Sequence, residues 1–145
     1  MEQRVTLITL GVADVARAAA FYEALGWKRA AESQEGIAFF QLAGQALALY
    51  PRVNMAEDMG CPVEGAGSIA LAQNLPTREE VDRAYEEAVS AGGKPLRTPY
   101  ETPWGGYIAY VADPDGHPWE FAHVPAFPLS PDGTLTLPSA AASAG

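Results

Sequence analysis

One order of elements occurs twice in this chain. Val5 to Leu10 is a short run of β-branched and apolar residues without charge, which predicts a buried strand. Asp14 then stands at a helix N-cap. Ala18, Phe21, Tyr22 and Leu25 recur at helical spacing, and Gly26 occupies the place of a left-handed C-terminal cap. Strands are predicted over 27–31, 36–42 and 45–50, with Gly36 and the Ala43-Gly44 pair at the turns. The order restarts with a strand over 68–73. Thr77 and Glu80 are spaced as a capping box, and Val81, Ala84, Tyr85 and Ala88 form the buried face of the helix it opens. Gly92-Gly93 ends that helix, and strands over 94–97, 106–111 and 118–122 follow. Asp113-Pro114-Asp115-Gly116 joins the last two, proline presetting φ and glycine accepting a positive φ.

Two β-α-β-β-β halves, each too small for a good core of its own, predict one duplicated α+β domain. It covers residues 1–123, with modules at about 1–50 and 67–123 and a linker at 51–66. Residues 124–145 read as a Pro/Ala/Ser-rich arm and tail whose last few residues are expected to fray.

Charge and cysteine content narrow the function classes. The net charge is −9, and the basic residues are scattered between Arg4 and Arg97. A nucleic-acid footprint needs a basic patch, and an anionic membrane surface repels such a chain. Cys61 is the sole cysteine, so an intrachain disulfide and a CxxC site are excluded. No apolar run reaches the roughly 18 residues a membrane span needs. Met1-Glu2-Gln3-Arg4 leads into the first strand without the apolar stretch of a signal peptide, and a cytoplasmic protein is expected. A Gly-x-Ser-x-Gly elbow, a P-loop and a His-Glu-x-x-His motif are all missing.

Three stretches carry a family resemblance. They are Leu7-Ile-Thr-Leu-Gly-Val-Ala-Asp14 with Ala20-Phe-Tyr-Glu-Ala-Leu-Gly-Trp27; Gly67-Ser-Ile-Ala-Leu71; and Trp104-Gly-Gly-Tyr107 with Asp113-Pro-Asp-Gly-His-Pro-Trp-Glu120. On these the chain resembles the vicinal oxygen chelate superfamily of glyoxalase I, bleomycin-resistance proteins and extradiol dioxygenases. The resemblance implies two tandem βαβββ modules whose curved sheets enclose a cleft. In the metalloenzymes, four His or Glu side chains in that cleft hold a divalent ion with open positions. Carried over, those positions fall on Leu7, Ala48, Ser68 and Glu120, of which only Glu120 is a ligand type. No native metal and no cofactor are therefore expected.

Strand alternation places Leu7 and Thr9, Ala46, Ala48 and Tyr50, Ser68 and Ala70, and Glu120 and Ala122 on the inner faces. Such a lining is mostly small or apolar, which suits an organic ligand with few polar groups. Trp104 and Tyr107 are candidate covers for that ligand, or pack under the linker instead. Glu120 is the one candidate catalytic group, with Tyr50, Tyr107 or strand amides as its expected partners, and no Lys or Arg is expected beside it. His117 is expected as a surface turn histidine. His123 falls on the opposite strand face from Glu120 and reaches the cleft only through a bulge. The expected function is a small-molecule-binding protein of glyoxalase/bleomycin-resistance type with Leu7, Ala48, Tyr50, Ser68, Trp104, Tyr107, Glu120 and His123 at its ligand. The alternative is a lyase or isomerase with Glu120 as acid or base, with a weak or dimer-shared metal. Unpaired sheet edges and the resemblance both predict a homodimer.

Overall fold

The computed structural model describes residues 1, 3, 5–31 and 33–137. Strand β1 (Leu7–Val12) leads into helix α1 (Val15–Ala24), then β2 (Ala38–Gln41), β3 (Ala46–Pro51) and helix α2 (Arg52–Met59). The second half is β4 (Leu71–Asn74), α3 (Arg78–Ser90), β5 (Lys94–Glu101), β6 (Tyr107–Ala112) and β7 (Pro118–His123). The sheets have the orders β1-β3-β2 and β4-β7-β6-β5, and in both the first strand is parallel to its neighbour. The mixed α+β duplication is therefore present, and its second copy is complete.

Local chemistry accounts for the helix limits. Asp14 accepts from the Arg17 amide at 3.0 Å, and Gly26 follows the last turn at φ 96°. Thr77 accepts from the Glu80 amide at 3.2 Å, but the Glu80 carboxylate takes the Thr77 hydroxyl at 3.1 Å instead of closing the box on its amide.

Several sequence expectations are corrected. The strand expected over 27–31 is reduced to a single bridge between Arg29 and Phe40. The Phe39 carbonyl still accepts from the Ala30 amide at 2.8 Å, but the Phe39 amide donates to the Ser33 hydroxyl at 2.9 Å instead of to a strand carbonyl, which ends the pairing there. The linker contains α2, bounded by Pro51 and by Gly60 at φ 71°, the proline-start and glycine-stop asymmetry of a helix. The strand expected from Ser68 begins at Leu71, and β5 runs on to Glu101 with irregular register around Arg97. The fraying expected at the C-terminal end falls outside the described residues.

Helix α1 covers the first sheet through Phe21 and Tyr22 against Val12, Phe40, Leu47 and Leu49. Helix α3 covers the second through Val81 and Ala88 against Ala109, Val111 and Phe121. Each fully buried aliphatic or aromatic side chain contributes about 1.5 to 3 kcal/mol. Leu25 and Trp119 pack against both clusters and join them into one core.

The turn before β7 ties the halves together electrostatically. The Asp115 side chain is fully buried; its Oδ1 accepts from the Ala13 amide at 2.9 Å and lies 3.5 Å from Arg17 and 3.4 Å from Arg52. Asp115→Ala strands that amide and releases α2, and is expected to cost about 1 to 3 kcal/mol in a urea titration.

Candidate functional site

Each sheet has one face under its helix and one face turned away from it. Residues at alternate strand positions from the core side chains share the outward faces. On the first sheet these are Leu7, Thr9 and Gly11 of β1 with Ala46, Ala48 and Tyr50 of β3, matched by register. Helix α2 lies on this face: a Cβ at Gly11 would stand 3.1 Å from Met55 Sδ and 3.2 Å from Arg52 Cγ. Ala48 is accordingly buried, and Tyr50 donates to Asp58 of α2 at 3.0 Å.

On the second sheet the outward face carries Asn74, Glu120, Ala122, Ile108, Tyr110 and, across from Tyr110, Arg97. Tyr110 donates its hydroxyl to Glu120 Oε2 at 2.6 Å. The Arg97 guanidinium lies 3.4 Å over the centre of the Tyr100 ring. Tyr110 and Glu120 are both half-buried. A cation thus shares the face with Glu120, contrary to the sequence expectation, because β5 extends past Arg97.

The eight sequence candidates separate into groups. Leu7, Ala48 and Tyr50 share the first sheet's outward face, and Glu120 lies on that of the second. Ser68 stands exposed in the turn ahead of β4, so the strand position assigned to it does not exist. Trp104 is exposed in the loop before β6 and folds over Gly106, where a Cβ would meet its ring at 2.4 Å. Tyr107 and His123 are register partners on the α3 face, without the bulge that would turn His123 toward Glu120. Tyr107 donates to Asp82 of α3 at 2.7 Å, and His123 Nδ1 bonds the Leu75 carbonyl at 3.1 Å.

Two cavities are formed between the halves: an open groove of about 1200 Å³ beside β4 and the C-terminal arm, and a pocket of about 140 Å³ between α1 and α3. None of the eight candidates lines either.

The tyrosines beside carboxylates are held protonated. A hydrogen bond to Glu120, then burial, pushes the Tyr110 hydroxyl up to about 12. Hydrogen bonds to Asp58 and Asp82 raise Tyr50 and Tyr107 in the same direction. The stabilisation from a raised phenol is fully present below its ordinary pKa near 10 and is lost as pH rises through the folded value. Glu120→Gln removes the main cause, and is expected to bring the Tyr110 midpoint back toward 10 in a phenolate absorbance titration.

His117 is 6% exposed and lies inside the fold. Its ring Nδ1 is 2.9 Å from Asp113 Oδ2, and Tyr22 donates to the same oxygen at 2.6 Å. Trp119 Nε1 donates to the Tyr22 hydroxyl at 3.1 Å. The Pro-Asp-Gly turn therefore positions a buried polar network between the halves.

The sequence profile described as Glyoxalase/Bleomycin resistance protein/Dioxygenase superfamily matches residues 4–121. The chain belongs to this superfamily. The crystal structure of a glyoxalase-related enzyme from Fulvimarina pelagi is 41% identical, with a TM-score of 0.88 over 95% of this chain and 100% of that one. The hypothetical protein SA1046 from S. aureus is 25% identical, with a TM-score of 0.75 over 86% and 95% of the two chains. The lactoylglutathione lyase from Agrobacterium tumefaciens, 21% identical with a TM-score of 0.65 over 85% and 95%, shares the fold. None of the curated proteins matches the chain.

The metal common to the superfamily's enzymes does not fit this member's donors. Leu7 and Ala48 offer none, Ser68 is in a turn, and one oxygen of Glu120 accepts from Tyr110. Among the described residues, no three His, Cys, Asp or Glu side chains come together so as to hold an ion.

Two positions, Tyr110 and Arg97, were missed by sequence reasoning, and the first had a usable signal. The Asp113–Gly116 turn fixes the β6–β7 register, which puts Tyr110 opposite Glu120. Arg97 had no such signal, because the length of β5 is set by irregular pairing.

Proposed function

We propose that this superfamily member binds a small organic molecule at Tyr110 and Glu120, on the outward face of the second sheet, without a resident metal ion. The hydrogen-bonded carboxylate and phenol, half-buried on a strand face shared with Ile108, Ala122, Asn74 and Arg97, are the observation that carries this reading. Tyr110 spends its proton on Glu120 Oε2, so Glu120 Oε1 and the phenol oxygen accept from a ligand N–H or O–H. The Arg97–Tyr100 stack offers such a ligand a flat side wall. In this reading a second copy of the chain covers the face. The exposed Leu7, Ile69 and Leu96, and the sheet edges at β1 and β4, support it. Sedimentation at tens of micromolar is expected to show a dimer; a clean monomer sinks that part.

The likeness to a glyoxalase-related enzyme favours a second reading, a lyase or isomerase reaction in which Glu120 takes a proton from an acidic C–H and returns it elsewhere. Calorimetric titration with zinc and nickel, paired with a fragment screen by protein-observed NMR, tests both. No tight metal binding is expected, and fragment shifts are expected to cluster at Tyr110 and Glu120 and to vanish in Glu120→Gln. Stoichiometric metal binding that depends on Glu120 would overturn the metal-free site, and fragment shifts that persist in the variant would remove Glu120 from it.

A further inference from the structure

We propose that the pocket between α1 and α3 is a second binding site, separate from the Tyr110–Glu120 face, for a single aromatic ring bearing a short cationic arm. The pocket holds about 140 Å³. That is close to the roughly 150 Å³ of an apolar cavity known to accept benzene. Its walls are aromatic: Phe21, Tyr22, Trp27, Trp119 and Phe121, with Trp27 and Trp119 meeting edge to face at 5.7 Å. On α3 the facing residues are Ala84 and Ala88, whose small side chains leave the space open. Interiors are otherwise packed with few voids of this size.

Two polar groups of the walls, the Trp119 indole N–H and the Tyr22 hydroxyl, are already committed. Trp119 donates to Tyr22, and Tyr22 donates to Asp113. The interior thus matches an apolar ring that brings no donor or acceptor of its own. Beyond the Tyr22 hydroxyl and the indole N–H groups of Trp27 and Trp119, the polar side chains of the lining are Gln73 and Glu87, both exposed and so at the mouth. Glu87 gives that mouth a negative charge. The adjoining groove shares Trp27, Gln73 and Trp119 with the pocket, and adds Glu80 and Asp132 against the single cation Lys28. A ligand ammonium beside these groups gains ion-pair attraction to carboxylate and cation–π attraction to the tryptophans, whereas a carboxylate on the same arm is repelled. Strand alternation separates the two sites: Trp119 and Phe121 point to the α3 side of β7, and Glu120 to the other.

Three one-ring probes that share a phenylethyl group and end in a cation, no charge or an anion test this on the full chain: 2-phenylethylamine, ethylbenzene and 3-phenylpropionate. The readout is the indole N–H signals of Trp27 and Trp119, with Trp104 as an internal control. Phenylethylamine is expected to shift Trp27 and Trp119 but not Trp104, and to bind at least about tenfold more tightly than the carboxylate, a ratio that corresponds to 1.4 kcal/mol. Glu87→Gln is expected to weaken phenylethylamine binding toward that of ethylbenzene while leaving ethylbenzene binding unchanged. Ala84→Leu fills the pocket and is expected to abolish binding of all three, with Ala84→Val as the milder variant should leucine prevent folding. Glu120→Gln leaves this binding unchanged. The proposal is overturned by absence of shifts at millimolar phenylethylamine, by equal binding of the three probes, by shifts confined to Trp104, or by binding that survives in the filled variants. Loss of binding in Glu120→Gln would also overturn it, by merging the two sites.

Discussion

Replacing Asp113 by alanine is expected to lower the free energy of unfolding by about 3 to 5 kcal/mol, the cost of removing one partner from a buried, hydrogen-bonded charge network. Asp113 is 1% exposed. Its carboxylate accepts from the Asp115 amide (2.9 Å), the His117 amide (2.9 Å), the His117 ring and the Tyr22 hydroxyl. Truncation leaves these donors without a partner in a place water does not replace. At about 3 °C per kcal/mol for a domain of this size, the melting temperature falls by roughly 10 to 15 °C. Asp113→Asn keeps an acceptor and should lose less. Tyr22→Phe removes one donor and strands the Trp119 indole, at about 1 to 2 kcal/mol. Because the two residues share a bond, the double variant should cost less than the sum of its parts. Full additivity would show that the network does not act as a unit.

The same group makes stability depend on acid. Burial alone would raise the Asp113 pKa, but the His117 ring, the Tyr22 hydroxyl and the His117 amide together outweigh it and hold the carboxyl below its ordinary value. A depressed carboxyl contributes stability that is fully present above its unfolded pKa, near 4, and is lost as pH falls through the folded value. Urea midpoints measured downward from pH 5 should therefore fall in the wild type and flatten in Asp113→Ala.

The duplicated α+β order was legible because it rests on local signals. Asp14 and Thr77 cap, Gly26 and Gly92 stop, and hydrophobic spacing changes from helical to alternating between them. What was not legible depends on contacts between the halves. His117 sits beside a turn and is apart from Glu120 on β7, so sequence periodicity places it at the surface. It is buried because Tyr22, in the other half, meets it at Asp113. The strand over 27–31 failed for a similar reason, since the Ser33 hydroxyl competes for the Phe39 amide and no spacing rule reports such a bond. At the candidate site, alternation placed Leu7, Ala48, Tyr50, Ser68 and Glu120 on inner faces; it carried no information on how the sheets are disposed, and Ser68 lies in a turn ahead of β4. Helix α2, whose proline and glycine bounds are readable in the sequence, turned the expected open face of the first sheet into a covered one. That shift moves the weight of the functional reading to the second sheet.

Gly92 and Gly93 look alike in the sequence, yet they do different work, and the second is the more sensitive to substitution by a larger residue. Gly92 holds φ 104° and its Cβ direction is open, so alanine there meets only backbone strain. Gly93 has no positive φ, but a Cβ on it would stand 2.5 Å from Val111 Cγ1, 2.8 Å from the Ala88 carbonyl oxygen and 3.2 Å from that of Ala112. Val111 can rotate; the two carbonyls belong to the end of α3 and to β6 and cannot. The methyl group therefore has to push the helix end away from the sheet it covers. Gly93→Ala is expected to cost about 3 kcal/mol, the upper end of overpacking penalties, and Gly92→Ala about 1 to 2 kcal/mol from strain alone. Because α3 also forms one wall of the aromatic pocket, Gly93→Ala should broaden or shift the Trp27 and Trp119 indole signals, while Gly92→Ala leaves them in place. A stability ranking in the reverse order, measured by urea unfolding of the two variants, would show that the close approach of α3 to β6 relaxes without cost.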